Sequence, residues 1–221
     1  MKDKAVVVFS GGQDSTTCLI DAIMRHDEVM AVSFDYGQRN HKELSVAKKI
    51  TEDFGVEHFI VDMNLNGVTT NAMTDHTMEI EIDEIPNTFV AGRNQLFLTY
   101  ASIIAYENDA RTIITGVSDT ESSGYPDCSR EFINSFQETI SLALGQTMII
   151  KTPLMNLDKA QVWAKADGLG YIEYIWENTI TCYNGQMKQG CGECPSCRLR
   201  NKALEKYIVT QERYNKAGAN K

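Results

Sequence analysis

Short runs of apolar, mostly β-branched residues alternate along the first part of the chain with segments whose apolar residues recur every three or four positions. The first pattern is typical of buried strands and the second of helices with one packed face. Strands are predicted at 5–8, 29–34 and 58–62, and helices at 18–24 and 42–54. Gly55 follows the second helix and is expected to end it in a left-handed conformation. This alternation predicts a parallel sheet with right-handed crossovers.

The pattern is interrupted from about residue 64 to residue 90, where Thr, Asn, Asp and Glu dominate. We expect a lid-like excursion with little regular structure there, since long loops are more often functional than idle. Regular patterns then return, with helices predicted at 95–106, 131–144, 158–166 and 198–207 and strands at 112–116 and 148–150. The predicted fold is α/β, a Rossmann-like, doubly wound, five-stranded parallel sheet. Its ligand crevice is expected beyond the carboxyl ends of the strands.

Composition fits one α/β domain with a small appendage. The chain has 221 residues, of which 43% are hydrophobic and 23% charged. We divide it into a nucleotide-binding domain, 1–170, and a C-terminal segment, 171–221. No apolar run is long enough to span a membrane and the first residues show no signal-peptide pattern, so we expect a cytoplasmic protein. The net charge of −9 argues against binding of long stretches of nucleic acid.

A loop rich in glycine and hydroxyl side chains follows the first strand. Its sequence is Phe9-Ser10-Gly11-Gly12-Gln13-Asp14-Ser15-Thr16-Thr17. Two glycines permit a tight turn, and the unpaired N–H groups of the next helix attract anions. We predict a phosphate or pyrophosphate cradle in which Asp14 holds Mg²⁺, with a helix cap as the alternative. The lysine of a P-loop and the G-x-G-x-x-G spacing are both absent.

Residues after the other strands meet the same edge of the predicted sheet. Arg39 and Arg93 offer planar donors for phosphate or carboxylate, with surface ion pairs as the alternative. In the turn Tyr125-Pro126-Asp127, the aspartate is expected to accept hydrogens from a guanine-like edge, unless it is an ordinary turn residue. Lys159 is expected to reach a phosphate, or else to be a solvated helix lysine.

The cysteines suggest a metal rather than a nucleophile. Four of them lie close together near the C-terminus: Cys182, Cys191, Cys194 and Cys197. Such a set can close a tetrahedral Zn²⁺ site with a structural role, with an iron–sulfur cluster as the alternative. Cys18 is expected to be a buried apolar residue, and no histidine stands near Cys128 to activate it. The four histidines form no ligand-spaced pair: His26, His41, His58 and His76.

The segment Ser10–Ser15 resembles the SGGxDS pyrophosphate loop of the ATP-pyrophosphatase superfamily. Together with further segments, this loop resembles the 7-cyano-7-deazaguanine synthase family, and the resemblance covers nearly the whole chain, 6–204. The further segments are Tyr36–Arg39, Gly92–Asn94, Gly124–Cys128 and the four clustered cysteines. The chain departs from the family pattern around the expected deazaguanine site. These departures are Asn40, Ala91, Glu121, Ser122 and Ser129.

The resemblance implies a ligase that converts 7-carboxy-7-deazaguanine, ammonia and ATP to a nitrile on the way to queuosine. Adenylated carboxylate and amide intermediates would release AMP and pyrophosphate. It also implies Mg²⁺, zinc and a homodimer. The expected ATP contacts are Phe9, Ser10, Gly11, Gly12, Gln13, Asp14, Ser15, Thr16, Thr17, Cys18 and Leu19, with the adenine near Phe34. The expected catalytic residues are Asp14, Arg93 and Lys159, and the expected substrate contacts are Arg39, Arg93, Tyr125 and Asp127.

Two other functions stay open at this point. A tRNA-thiolating enzyme would share the loop, but it would need a catalytic cysteine and a basic surface for RNA. A non-catalytic module with a zinc ribbon would bind ATP without releasing pyrophosphate.

Overall fold

The computed structural model describes residues 2–65, 67–75, 77–81, 86–118 and 125–218, the last five as backbone only. At the centre of these residues lies a parallel sheet of five strands in the order β3-β2-β1-β4-β5. The strands are β1 (Lys4–Val8), β2 (Glu28–Asp35), β3 (Glu57–Asp62), β4 (Thr112–Ile114) and β5 (Ile149–Lys151). Because β2 and β4 flank β1 on opposite sides, the predicted doubly wound fold is confirmed.

Helices connect the strands and cover both faces of the sheet. They are α1 (Gln13–Ile23), α2 (Lys42–Phe54), α3 (Arg93–Glu107), α4 (Arg130–Leu144), α5 (Lys159–Gly168), α6 (Ile172–Asn178) and α7 (Pro195–Gly218). A 3₁₀ turn at Pro126–Cys128 precedes α4. No helix in the described ranges has the length and apolar composition needed to cross a bilayer.

The central strand β1 contributes to two apolar layers because successive side chains point to opposite faces. Val6 belongs to the layer that contains Leu98 of α3. Ala5 and Val7 belong to the other layer, together with Ile50 of α2. All five residues are at most 2% exposed, so the continuous apolar run of β1 reflects burial on both faces.

Several predicted boundaries agree with the structure. Helix α2 spans Lys42–Phe54 as predicted, and Gly55 ends it with φ at 65°. Asp158 caps α5 through a capping box, in which its side chain accepts a hydrogen bond from Gln161 N at 2.8 Å. These features depend on residues close together in sequence, which is why the pattern predicts them.

Other boundaries differ. Helix α1 begins at Gln13 rather than at residue 18, and inside it Thr17 Oγ1 donates to Gln13 O at 2.8 Å, so the hydroxyl is satisfied within the helix. The last helix, α7, begins at Pro195 rather than at residue 198 and continues to Gly218. Proline suits a first helical position since it has no N–H to leave unpaired. Helix α6 is absent from the predicted elements.

The C-terminal segment packs onto the sheet-bearing part of the chain. One apolar cluster joins Ile20 of α1, Trp163 of α5, Ile175 of α6 and two residues of α7, Ala203 and Tyr207. All five are at most 7% exposed. Helices on both sides of residue 170 therefore share one core.

The excursion after β3 contains turns, and no helix or strand occurs in its described residues. Arg39 holds it, because Arg39 Nη1 donates to Met78 O at 3.0 Å and to Ala72 O at 3.4 Å. Four residues named from the sequence lie outside the described part of the chain: His76, Glu121, Ser122 and Gly124.

Candidate active site

A cavity of about 570 Å³ opens at the carboxyl ends of β1, β2 and β4. Polar groups from the loop after β1 and from α5 line one end: Ser10, Asp14, Ser15 and Lys159. Aromatic rings and a guanidinium line the other end: Phe34, Tyr36, Arg93, Phe97 and Tyr125. A concave site of this size, polar at one end and aromatic at the other, is typical of a small-molecule site.

The loop after β1 passes very close to α2 at Gly11. A Cβ at this position would lie 2.9 Å from Ala47 N and 3.1 Å from Glu43 O, and the φ angle is +73°. Glycine alone fits such an approach without strain. Beyond it, Ser10 N donates to Ser15 Oγ at 3.2 Å, which folds the loop back onto the first turn of α1.

Asp14 and Lys159 form an ion pair between the first turns of α1 and α5. Asp14 Oδ1 is buried and has no hydrogen-bond partner in the described part of the chain. A buried carboxylate oxygen without a donor is expensive unless a ligand satisfies it. The oxygen fits Mg²⁺, which prefers carboxylate and phosphate oxygens.

Only some of the residues expected to contact ATP line the cavity. Phe9, Ser10, Asp14 and Ser15 line it, whereas five other expected contacts are not among its lining residues: Gly11, Gly12, Gln13, Thr16 and Thr17. Cys18 and Leu19 are fully buried in the layer between α1 and the sheet, so they do not reach it either. Burial also raises the pKa of the Cys18 thiol, which agrees with its predicted role as an apolar core residue.

Arg93 begins α3 and lies against aromatic rings. Its guanidinium carbon is 5.7 Å from the ring centres of both Tyr36 and Phe97, and its Nη1 donates to Tyr36 Oη at 3.2 Å. Phe97 in turn stacks on Phe34 with ring centres 4.1 Å apart. The buried Arg93 Nε finds no hydrogen-bond partner among the described residues. The arrangement leaves a donor for an anionic ligand.

In the Tyr125-Pro126-Asp127 turn, the tyrosine lines the cavity and the aspartate does not. Tyr125 lines the cavity, and its hydroxyl is 2.7 Å from Thr88 Oγ1. Asp127 lies behind the wall, where its Oδ2 accepts a hydrogen bond from Asn94 N at 3.2 Å. Burial raises the pKa of this carboxyl. The structure thus places Asp127 at the first turn of α3, and Arg39 under the excursion, rather than in the cavity lining.

Several polar residues of the cavity wall are absent from the predicted site, among them Glu43 and Thr181. Glu43 lies in the first turn of α2 and accepts a hydrogen bond from Gln38 Nε2 at 3.0 Å. Thr181 Oγ1 accepts one from Arg200 Nη1 at 2.7 Å. The position of Glu43 shortly after a strand end is a signal that could have found it. No sequence signal marks Thr181.

The four clustered cysteines lie around the start of α7. Their sulfur atoms are all within 4.8 Å of one another, an arrangement that can hold a metal ion. The backbone N–H of Cys194 donates to Cys191 Sγ at 3.3 Å and lowers the pKa of that thiol to about 6. At Gly190 a Cβ would overlap Cys197 Sγ, so the turn requires glycine. A set of four thiolates with no open position suits a structural metal.

Comparisons with known proteins show the family of this chain. The model of a family described as queuosine biosynthesis protein QueC matches residues 4–208. A relative from Bacillus subtilis (strain 168), named 7-cyano-7-deazaguanine synthase, is 52% identical over 211 residues, which are 94% of this chain and 96% of the relative. A relative of the same name from Staphylococcus epidermidis (strain ATCC 12228 / FDA PCI 1200) is 54% identical over 210 residues, 94% of each chain.

A solved structure supports the fold alone. NMN synthetase from Francisella tularensis superposes with a TM-score of 0.50 at 18% sequence identity, covering 85% of this chain and 71% of that one. The fold is α/β with a pyrophosphate-type loop, and the curated relatives put the chain in the carbon–nitrogen ligase class. Within that class, the chain belongs to the QueC family of queuosine biosynthesis proteins.

Proposed function

We propose that this protein converts 7-carboxy-7-deazaguanine and ammonia to 7-cyano-7-deazaguanine with ATP. The observation that carries the proposal is that one cavity contains both sets of groups. The Asp14–Lys159 pair and the loop after β1 line one end, and Arg93 with its aromatic rings lines the other. The first end suits the phosphates of ATP. The second suits a flat heterocycle that carries a carboxylate.

The proposed reaction has two adenylation steps. The substrate carboxylate attacks the α-phosphorus of ATP, and pyrophosphate leaves beside Lys159 and the first turn of α1. Ammonia then displaces AMP to give the amide. The amide oxygen attacks a second ATP, and loss of AMP leaves the nitrile. The protein mainly positions the reactants and stabilises charge, so no side-chain nucleophile is needed.

Individual residues take defined roles in this proposal. Ser10, Ser15 and the N–H groups of the first turn of α1 bind the phosphates, and Lys159 stabilises the leaving pyrophosphate. Arg93 binds the substrate carboxylate and Tyr125 contacts the deazaguanine. Arg39 and Asp127 support the walls, since they lie outside the cavity lining.

Two metals belong to the proposal. Mg²⁺ would be held by Asp14 and would neutralise phosphate charge. Zn²⁺ would be held by Cys182, Cys191, Cys194 and Cys197 and would fix the start of α7.

We further propose a cytoplasmic homodimer that acts on a small molecule and needs neither nucleic acid nor membrane. Four apolar residues of α3 are 37–47% exposed and would suit a contact between copies: Leu96, Tyr100, Ile103 and Tyr106. We also propose that residues 1–170 bind ATP and that residues 171–221 bind zinc. Analytical ultracentrifugation tests the dimer directly.

The decisive experiment measures pyrophosphate release from ATP and Mg²⁺ with 7-carboxy-7-deazaguanine and ammonia, and identifies the product by mass. We expect release that depends on the acid, together with a nitrile. The variant Lys159→Met should lower the rate by about 100-fold or more, because a charge that stabilises the leaving group is lost. Its control is Lys206→Met, which removes only the exposed pair with Asp158.

The outcomes separate the competing functions. Release that requires a tRNA instead of the acid would replace the proposed substrate with the tRNA-modifying alternative. ATP binding without any release would leave the non-catalytic module.

A further inference from the structure

Glu43 sits at the junction of the two ends of the cavity. Its carbonyl oxygen faces Gly11 of the phosphate-binding loop, where an added Cβ would lie 3.1 Å away. Its side chain lines the cavity and is close enough to Arg93 for their charges to interact. Glu43 thus contacts the loop after β1 through its backbone and interacts with Arg93 through its carboxyl, and under the proposed function these are the groups for the phosphates and for the substrate carboxylate.

The orientation of the Glu43 carboxyl is fixed by Gln38, a fully buried amide. Gln38 Oε1 accepts from Tyr36 N at 2.9 Å, and its Nε2 donates to Phe34 O at 2.9 Å and to Glu43 Oε1 at 3.0 Å. Because a backbone N–H and a backbone carbonyl fix which end of the amide is which, Gln38 cannot flip. Glu43 Oε1 is therefore an acceptor whether or not the carboxyl is protonated. Any proton on Glu43 must reside on Oε2.

We propose that Glu43 Oε2 accepts the protons released from nitrogen when the amide and the nitrile form. The inference rests on the proposed function and deepens it by adding a general base. It assigns a catalytic role to a residue whose carboxyl would otherwise be buried in a cavity wall with one amide donor in the described part of the chain.

The proton balance of the reaction requires such an acceptor. All three hydrogens of ammonia must leave its nitrogen on the way to a nitrile. One leaves as the C–N bond forms and the C–O bond to AMP breaks, with AMP taking the electron pair. The other two leave as the amide oxygen departs on the second AMP and the C–N triple bond forms. Glu43 takes each proton in turn and returns it to solvent through the open cavity between steps.

The local electrostatics suit this role. Burial raises the pKa of Glu43 to about 7, opposed by the hydrogen bond from Gln38 and by the charge of Arg93. Phenols also face this end, namely Tyr36 from the end of β2, Tyr125 from the turn before α4 and Tyr183 from the C-terminal segment, and burial raises the pKa of Tyr36 and Tyr183. Glu81 of the excursion and Cys128 line the cavity as well. Arg93 is the charged group that acts on the Glu43 carboxyl, and it lowers the pKa. A base with a pKa near the working pH is the most effective.

The test is the isosteric variant Glu43→Gln, which keeps an acceptor for Gln38 and removes the base. Glu52→Gln on the exposed side of the same helix is the matched control. We expect ATP–pyrophosphate exchange with the acid, measured without ammonia, to stay within about twofold of the unaltered protein. Amide formation should fall by about 100-fold. Hydroxylamine, a stronger and less basic nucleophile, should restore most of the trapping rate, which a merely structural defect would not allow.

The pH profile gives a second readout. With free ammonia held constant, the rate of the unaltered protein should rise through pH 7 as the Glu43 carboxyl deprotonates, and Glu43→Gln should lose this rise. Amide formation at the unaltered rate in Glu43→Gln, or equal loss of pyrophosphate exchange and amide formation, would overturn the role of Glu43. Absence of exchange in the unaltered protein would instead refute the proposed function.

Discussion

At Gly11 the loop after β1 comes so close to α2 that only a hydrogen atom fits in place of a side chain. The left-handed backbone and the 2.9 Å approach of a hypothetical Cβ to Ala47 N are two separate penalties. Gly145 provides the contrast, because its φ is also positive at +65° but no atom lies within 4 Å of an added Cβ. Substitution at Gly145 therefore tests backbone strain alone, and substitution at Gly11 tests backbone strain together with steric overlap.

We predict that Gly145→Ala lowers the free energy of unfolding by about 1–2 kcal/mol, the cost of a left-handed alanine. Gly11→Ala should lower it by about 2–4 kcal/mol, because overlap with the backbone of α2 is added. Urea unfolding monitored by circular dichroism measures both values. Equal losses would mean that the loop moves away from α2 without cost.

Arg200 is a second residue whose surroundings define its role. Its guanidinium carbon lies 5.4 Å from the ring centres of both Trp163 and Trp176. Its Nη2 donates to the carbonyl oxygens of Ile175 and Trp176, each at 3.3 Å. Burial lowers its pKa to about 10, so it remains charged near neutral pH. Arg200 therefore holds α7 to the end of α6 and orients the Thr181 hydroxyl.

We predict that Arg200→Met lowers the free energy of unfolding by about 2–4 kcal/mol, because buried carbonyl oxygens lose their donors. The exposed neighbour Arg198, replaced in the same way, should change it by less than about 0.5 kcal/mol. Guanidinium unfolding curves compare the two variants. If Arg198→Met lowered the free energy of unfolding as much as Arg200→Met does, the buried contacts of Arg200 would not be the cause of the loss.

At the scale of the element, the start of α7 depends on the cysteine cluster. Cys194 directly precedes the helix and Cys197 lies in its first turn. Their thiols are buried, and burial raises the pKa of both. Four thiols close together favour a cation that displaces their protons. A metal would therefore fasten the first turn of α7.

We predict that Cys194→Ser abolishes zinc binding and speeds amide hydrogen exchange in the first turn of α7 by at least about tenfold, because the helix start loses its anchor. Cys18→Ala should keep full zinc content while losing stability, since Cys18 packs in the core away from the cluster. Elemental analysis and hydrogen exchange by mass spectrometry give both readouts. Full zinc content in Cys194→Ser would contradict the assignment of that thiol as a ligand.

At the scale of the whole molecule, the apolar layers run across the boundary that the sequence places at residue 170. The cluster of Ile20, Trp163, Ile175, Ala203 and Tyr207 leaves no separate core for the C-terminal segment among the described residues. We predict one cooperative thermal transition with equal calorimetric and van't Hoff enthalpies, measured by scanning calorimetry. Two resolved transitions would mean that 1–170 and 171–221 unfold independently.

Local physics accounts for what the sequence predicts well. The strands, the bounds of α2, the left-handed Gly55 and the cap Asp158 follow from periodicity and from interactions within a few residues. The fold class follows because alternating strands and helices have few right-handed arrangements. The cysteine cluster also comes from sequence, since closely spaced ligands meet wherever their turns permit.

The tertiary structure alone decides which polar residues face the cavity. The helical rotation of α1 turns Leu19, an expected ATP contact, into the core, and the packing of α3 places Asp127 behind the wall. Glu43 reaches the cavity because Gly11 lets the loop after β1 lie against α2. The direction of a side chain depends on the rotation of its element and on distant packing partners, and neither is encoded in local spacing. The sequence by itself therefore determined the fold and the residue content of the loop after β1, whereas tertiary packing decided which residues line the cavity.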